Sequence, residues 1–243
     1  MTTSPAAVHV GFVSPSSTWG VHYDDFLALV PDGVRVDIQP LGLYRTALTE
    51  LREAGGDHLA KTTQLAAERG WAGIAVMGAP IQVQNAGLAD RLRAKTGVPV
   101  TTALESSTAA LRALSAERAL VLTPFEPSMN ALVGEFLEGA GIEAVFPDDG
   151  FGSIAQAEAL SADAVYDLAK NALMAAEGVE AIYFQGARLN PLGSIKRMET
   201  DFSVPVVASN PAMLWHLLSL LGMRRPSGEG GRLLRDWPAL VDR

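Results

Sequence analysis

Two apolar runs end at residues that can hold an anion. IAVMGAPI (74–81) stops at Gly78, and IYFQGARL (182–189) stops at Gln185. A glutamine amide donates hydrogen bonds to an oxyanion but does not titrate near neutral pH, so it is a poor proton donor to carbon. Backbone N–H groups of Ala79, Gly186 and Ala187 can add donors at the same tips, whereas Pro80 has none. Pro15, Ser16 and Ser17 follow the first apolar run, and Asn210 follows the last. Tyr44 and Arg45 stand in LGLYRTAL, where Arg45 can grip a carboxylate with two parallel N–H bonds. Arg188 offers the same chemistry, and a plain surface arginine is the alternative for both. Phe125 and Glu126 stand in LTPFEP. A buried Glu126 could serve as an acid at neutral pH; otherwise it stabilises the first turn of the next helix. Glu105 suits a helix start. His22 and Tyr23 follow SSTWG as part of a lid or as structural residues.

Other chemistries lack residues. The chain of 243 residues has no cysteine, which removes disulfides, thiolate metal sites and thiol nucleophiles together. No HExxH, EF-hand array, P-loop, GxSxG elbow or strand-linked GxGxxG occurs, so neither a metal nor a cofactor is expected. GEGG (228–231) is a weak phosphate motif in a polar tail. A net charge of −8 argues against a nucleic-acid groove, but helix starts can bind a small carboxylate whatever the net charge. No apolar stretch reaches the ~18 residues of a membrane span, and MTTSPAAVHVGF lacks the charge pattern of a signal peptide. A cytoplasmic protein is expected, with no nucleic acid and no membrane as partner; a homo-oligomer is left open.

Elements must carry these residues to one place. Strands are expected at 8–14, 34–40, 73–77, 98–102, 118–123, 142–146, 180–184 and 204–208. Helices are expected at 23–30, 45–69, 85–96, 105–115, 127–140, 162–177, 191–199 and 210–221. Alternation of short apolar runs with longer amphipathic ones means βαβ units and mostly parallel sheets. Ser161 reads as an N-cap, Asn190 as a cap with Pro191 at N1, and Gly70 and Gly141 as C′ glycines. The tail from Arg224 reads as a surface extension whose Trp237, Leu240 and Val241 could dock on a neighbour. The chain also repeats itself: Pro15 and Pro124 lie 109 positions apart, and Gly78 and Gln185 lie 107 apart. Two similar α/β halves would each offer two loops from strand carboxyl ends, where ligands bind in open parallel sheets.

GFVSPSS, MGAP (77–80), GVPVTTALESSTAALRAL (97–114) and VPVVASNPAMLWHLL (204–218) together resemble the aspartate/glutamate racemase superfamily, in its arylmalonate decarboxylase and maleate isomerase branch. The resemblance covers most of residues 8–222. It implies two pseudo-symmetric Rossmann-like halves, each a mostly parallel sheet flanked by helices, with the active-site cleft between them. Residues 1–103 with 209–243 would form one half and 104–208 the other. It further implies that racemases use a cysteine from each half and that the decarboxylases keep the second. Here those positions read as Gly78 and Gln185, and the expected hydroxyl donors read as Ala79, Pro80 and Phe125. The expectation is a cysteine-free relative acting on a small carboxylate through an enolate-like intermediate, by lyase or isomerase chemistry; the alternative is a non-catalytic carboxylate-binding protein. Glu126, Tyr44 and Gln185 would be catalytic. Pro15, Ser16, Ser17, Arg45, Gly78, Ala79, Phe125, Gly186, Ala187 and Asn210 would bind the substrate.

Overall fold

Runs rich in Val, Ile and Ala become eight short parallel strands in the computed structural model, which describes residues 7–44, 47–147 and 153–241. The first sheet carries β1 (Val8–Ser14), β2 (Val34–Pro40), β3 (Gly73–Val76) and β4 (Val100–Thr102) in the order β2-β1-β3-β4. Between them lie α1 (Val21–Leu27), a 3-10 helix (Leu48–Glu53), α2 (Gly55–Arg69), α3 (Ala79–Gln84) and α4 (Leu88–Thr96); α5 (Ala103–Ala113) follows β4 directly. The second sheet repeats the plan. It holds β5 (Arg118–Leu122), β6 (Glu143–Val145), β7 (Ala181–Phe184) and β8 (Val206–Ala208) in the order β6-β5-β7-β8. Along the chain with it come α6 (Pro127–Gly139), α7 (Ile154–Glu158), α8 (Ala162–Ala175) and α9 (Ile195–Phe202), and after β8 follow α10 (Ser209–Leu220) and α11 (Gly231–Asp236).

The repeat extends to individual hydrogen bonds. Met77 N donates to Val13 O at 2.9 Å, and Gln185 N donates to Leu122 O at 2.9 Å. Ser14 Oγ accepts from Ser16 N, as Thr123 Oγ1 accepts from Phe125 N. Pro99 and Pro205 precede strands β4 and β8, and their carbonyls accept from Ile74 N and Ile182 N. Proline costs little there, because its missing N–H lies outside the ladder. These bonds correct the register of the repeat by one residue. Gln185 is the counterpart of Met77, and Gly186 of Gly78, both at a spacing of 108.

The halves meet on α5 and α10, which pack on each other across the molecule. Helix α10 (SNPAMLWHLLSL) is apolar on nearly every face and buried from Ser209 to Trp215, as a helix enclosed by core must be.

Four expectations change. The helix expected at 45–69 divides into the 3-10 turn and α2 at Ala54–Gly55, and its first two residues lie outside the described residues. The helix expected from 85 is preceded by α3, which opens at Ala79 with Pro80 in its first turn. Asn190 caps a turn rather than a helix: its Oδ1 accepts from Leu192 N, Ser194 N donates to Pro191 O, and α9 begins at Ile195. The tail is not a surface extension. Glu199 carboxylate oxygens accept from Arg232 N, so the GEGG segment is already seated on an internal anion. Leu233, Leu234 and Trp237 are buried in the central core, and Trp237 Nε1 donates to Ser219 Oγ at 3.2 Å. Gly70 and Gly141 do adopt positive φ after α2 and α6, and Ser161 Oγ accepts from Ala164 N.

Trp237→Ala should therefore destabilise the protein by about 3–5 kcal/mol, the usual cost of emptying a buried indole site. Urea unfolding measures it; a loss below ~1 kcal/mol would contradict a docked tail.

Candidate functional site

In each sheet the chain leaves the first strand to one side and returns on the other, so β1/β3 and β5/β7 are topological switch points. Crevices outside the carboxyl ends of strands at such points are where open parallel sheets bind ligands. Here the two crevices face one another. A cleft of about 610 Å³, its open mouth included, is lined by Ser14, Pro15 and Ser16 from the β1 tip and Met77, Gly78 and Pro80 from the β3 tip. Pro124 and Phe125 from the β5 tip and Gln185 to Arg188 from the β7 tip complete the opposite wall.

Glycine is required at both tips. Gly78 has φ +86° and Gly186 φ +102°, and a Cβ on Gly186 would lie 2.9 Å from Pro124 Cδ. Only glycine enters this backbone region without strain, and it lets the two crossing tips touch.

Neighbouring segments add side chains. Leu41, Gly42 and Leu43 continue the ladder past β2 by donating to Ser14, Ser16 and Pro15 carbonyls, which carries Tyr44 to the cleft. The start of α1 contributes His22 and Tyr23, and the start of α10 contributes Ser209 and Asn210. Tyr23 is buried, and its hydroxyl donates to Ser14 Oγ at 3.1 Å. Burial raises its proton affinity above that of an ordinary phenol, against the opposing hydrogen bond to Ser14. Leu48, Leu51, Met77, Phe125 and Ile154 give the cleft an apolar side.

Gln185 is the polar centre. It is 0 % exposed, its Oε1 accepts from the Tyr183 hydroxyl, and its Nε2 has no hydrogen-bond partner. Arg188 supplies positive charge at the mouth. Its Nη2 donates to Thr18 Oγ1 at 2.7 Å and to Ser16 Oγ at 3.3 Å, and its Nη1 pairs with Glu158 at the end of α7. The guanidinium therefore ties the second half to the first. His22 Nδ1 lies 3.9 Å from Glu158 Oε1 and is also without a partner at hydrogen-bond distance. Burial first, and then the Arg188 charge, hold the His22 imidazole down to about 4 against the pull of Glu158, so it is neutral at pH 7.

Pro15, Ser16, Tyr44, Gly78, Phe125, Gln185, Gly186, Ala187 and Asn210 thus share one cleft. Other expected residues lie elsewhere. Glu126 is exposed at the outer mouth, so the desolvation that an acid role needs is missing. Ser17 lies on that outer mouth, exposed. Ala79 is buried in the central core behind the cleft wall rather than on it. Arg45 lies outside the described residues. Glu105 pairs with Arg93 at 2.6 Å, away from the cleft, as a helix-start residue can. Sequence reasoning missed the hydroxyls of Ser14 and Ser209 and passed over Tyr23 as a donor. Ser14 was legible as the last strand residue before Pro15; no local pattern tells which residues of α1 and α10 turn back toward the cleft. Among the described residues, no three His, Asp or Glu side chains converge as a metal site.

A family model for arylmalonate decarboxylase matches residues 10–234. The chain belongs to the arylmalonate decarboxylase family. The arylmalonate decarboxylase of Bordetella bronchiseptica is 29% identical over 157 residues, which is 63% of this chain and 64% of that protein, just under two thirds of its length. A liganded double variant of arylmalonate decarboxylase has a TM-score of 0.80 at 24% identity, covering 94% of this chain and 99% of that one. A variant of the Nocardia farcinica maleate cis-trans isomerase with a covalently bound succinylcysteine intermediate has a TM-score of 0.74 at 17% identity, covering 95% and 99%. These structural likenesses establish the shared fold of two four-stranded parallel sheets flanked by helices. Within the family, this chain presents an amide at the β7 tip and no thiol anywhere.

Burial also gives the protein a proton-linked stability. His22, His58 and His216 are each held down to about 4 from an ordinary 6.5, with burial the largest cause. The unfolded chain then binds protons more readily, so stability is complete above about pH 6.5 and falls as pH drops toward 4. Urea midpoints should decrease over that window, and His58→Gln should flatten the decrease by about one proton. A midpoint unchanged from pH 7 to pH 4.5 would contradict the neutral buried histidines.

Proposed function

We propose that the cleft binds a small carboxylate with an apolar substituent and promotes its decarboxylation by stabilising enolate-like charge. The observation that carries this reading is that Gln185, a residue of the cleft wall, has a buried Nε2 without a hydrogen-bond partner. A donor fixed in a water-poor site is worth most where negative charge develops. Arg188 and the Ser16 hydroxyl suit the carboxylate that remains, and Leu48, Leu51, Met77 and Ile154 suit an apolar body. Loss of carbon dioxide leaves the carbon–carbon electron pair on an enediolate, whose oxygen faces the Gln185 amide. The cleft also holds the phenols of Tyr23 and Tyr44, a side-chain type that can give a proton to carbon, whereas its amide and guanidinium groups donate only hydrogen bonds. The carbon takes its proton from one of these phenols or from water, and solvent reprotonates the phenolate or neutralises the hydroxide left behind. Tyr44 closes the cleft beside the substrate. Isomerisation through a sulfur adduct is unavailable to a chain without cysteine.

The test is incubation with 2-methyl-2-phenylmalonate, followed by NMR and chiral chromatography. Carbon dioxide and 2-phenylpropionate are expected, and Gln185→Leu should lower kcat roughly 10²-fold. Turnover unchanged in Gln185→Leu would contradict the amide as the oxyanion donor. Tight binding without turnover would make the protein a carboxylate sensor instead, a reading favoured by the non-titrating amide where proton transfer is needed.

A further inference from the structure

The Gln185 amide can do this work only with its nitrogen toward the cleft, and one residue decides that orientation. Tyr183 and Gln185 are two apart at the end of β7, so their side chains leave the same sheet face. Phe184 points the other way, into the core behind the sheet. Tyr183 lies in the central core between the sheets, 0 % exposed. Its hydroxyl donates to Gln185 Oε1. Burial raises the phenol's proton affinity further above its ordinary value, so it stays a neutral donor throughout the physiological range. With the amide reversed, the phenol proton would lose the carbonyl and turn to Ser107 Oγ, the buried hydroxyl on α5 whose contact with the phenol partly offsets the rise in its proton affinity. An amide oxygen is the stronger acceptor.

We infer that Tyr183 is a positioning residue that locks the Gln185 carboxamide nitrogen-first into the cleft, so that the β7 tip receives a ligand oxygen and rejects a ligand donor. This rests on the proposed role of Gln185 as the oxyanion donor. The lock replaces titration with geometry: a neutral side chain becomes a one-way hydrogen-bond donor because its other end is held by a phenol that never meets solvent. The consequence is energetic coupling between Tyr183 and Gln185, felt by a ligand that touches only Gln185.

A double-mutant cycle with phenylacetate as the probe tests this. Tyr183→Phe should weaken phenylacetate binding about 5–10-fold in the native background and less than about 2-fold in Gln185→Leu. The preference for phenylacetate over phenylacetamide should shrink in Tyr183→Phe, because a freed amide can turn its oxygen to a donor. Additive effects in the cycle, or an unchanged preference, would overturn the positioning role and leave the carboxylate site standing. If the native protein binds no phenylacetate, the carboxylate site itself fails. The lock is then read directly from the Gln185 side-chain amide cross-peaks, assigned by their loss in Gln185→Leu. Two sharp peaks that broaden or shift in Tyr183→Phe support it, and peaks unchanged by that substitution refute it. Circular dichroism and thermal unfolding of each variant separate these effects from misfolding.

Discussion

A carboxamide buried completely, with its oxygen satisfied and its nitrogen not, is the constraint around which the site is arranged. An unsatisfied buried donor costs about 1–3 kcal/mol. The fold holds it there firmly: Gln185 N donates to Leu122 O, the next residue is a glycine at φ +102°, and the Tyr183 phenol grips the amide oxygen. A backbone that fixes an expensive group so tightly is preorganised for a partner that brings an oxygen. Arg188 is restrained by Thr18, Ser16 and Glu158, so the charged and the neutral donor stand in fixed relation before any ligand arrives.

The same plan repeated in both sheets places the cleft between matching tips, and single-residue differences at those tips make its walls differ. Both sheets end their switch-point strands with the same hydrogen bond, the same glycine and the same proline-containing turn. Met77 fills the position in the first half that Gln185 fills in the second. One tip therefore offers apolar surface and the other offers a donor. An amphiphilic anion fits such a pair of walls better than a symmetrical one does.

Strands were legible because Val, Ile and Ala runs bounded by Gly and Pro have few alternatives; Val8–Ser14 and Val34–Pro40 match their expected limits. Helix limits were less so. Nothing periodic in LTELREAGGDHLAKTT separates a 3-10 turn from the helix after it, and Pro80 hid a short helix that tolerates proline in its first turn. The charge- and glycine-rich tail looked solvated, yet Leu233, Leu234 and Trp237 all turn inward. At the cleft, strand tips announced Pro15, Gly78, Phe125 and Gln185. Tyr23 and Ser209 did not announce themselves, since their place depends on how α1 and α10 approach the tips. Glu126 illustrates the converse: it follows a cleft residue, but as the extended N-cap of α6 it stands exposed at the rim.

The central claim is that both halves hold one carboxylate between them, with the Gln185 amide donating to it. A crystal structure with phenylacetate bound tests this most directly. The account predicts a carboxylate oxygen about 3 Å from Gln185 Nε2, with the ring against Leu48 and Leu51. A ligand whose ring lies against Gln185, or whose carboxylate is held outside the cleft, would contradict it.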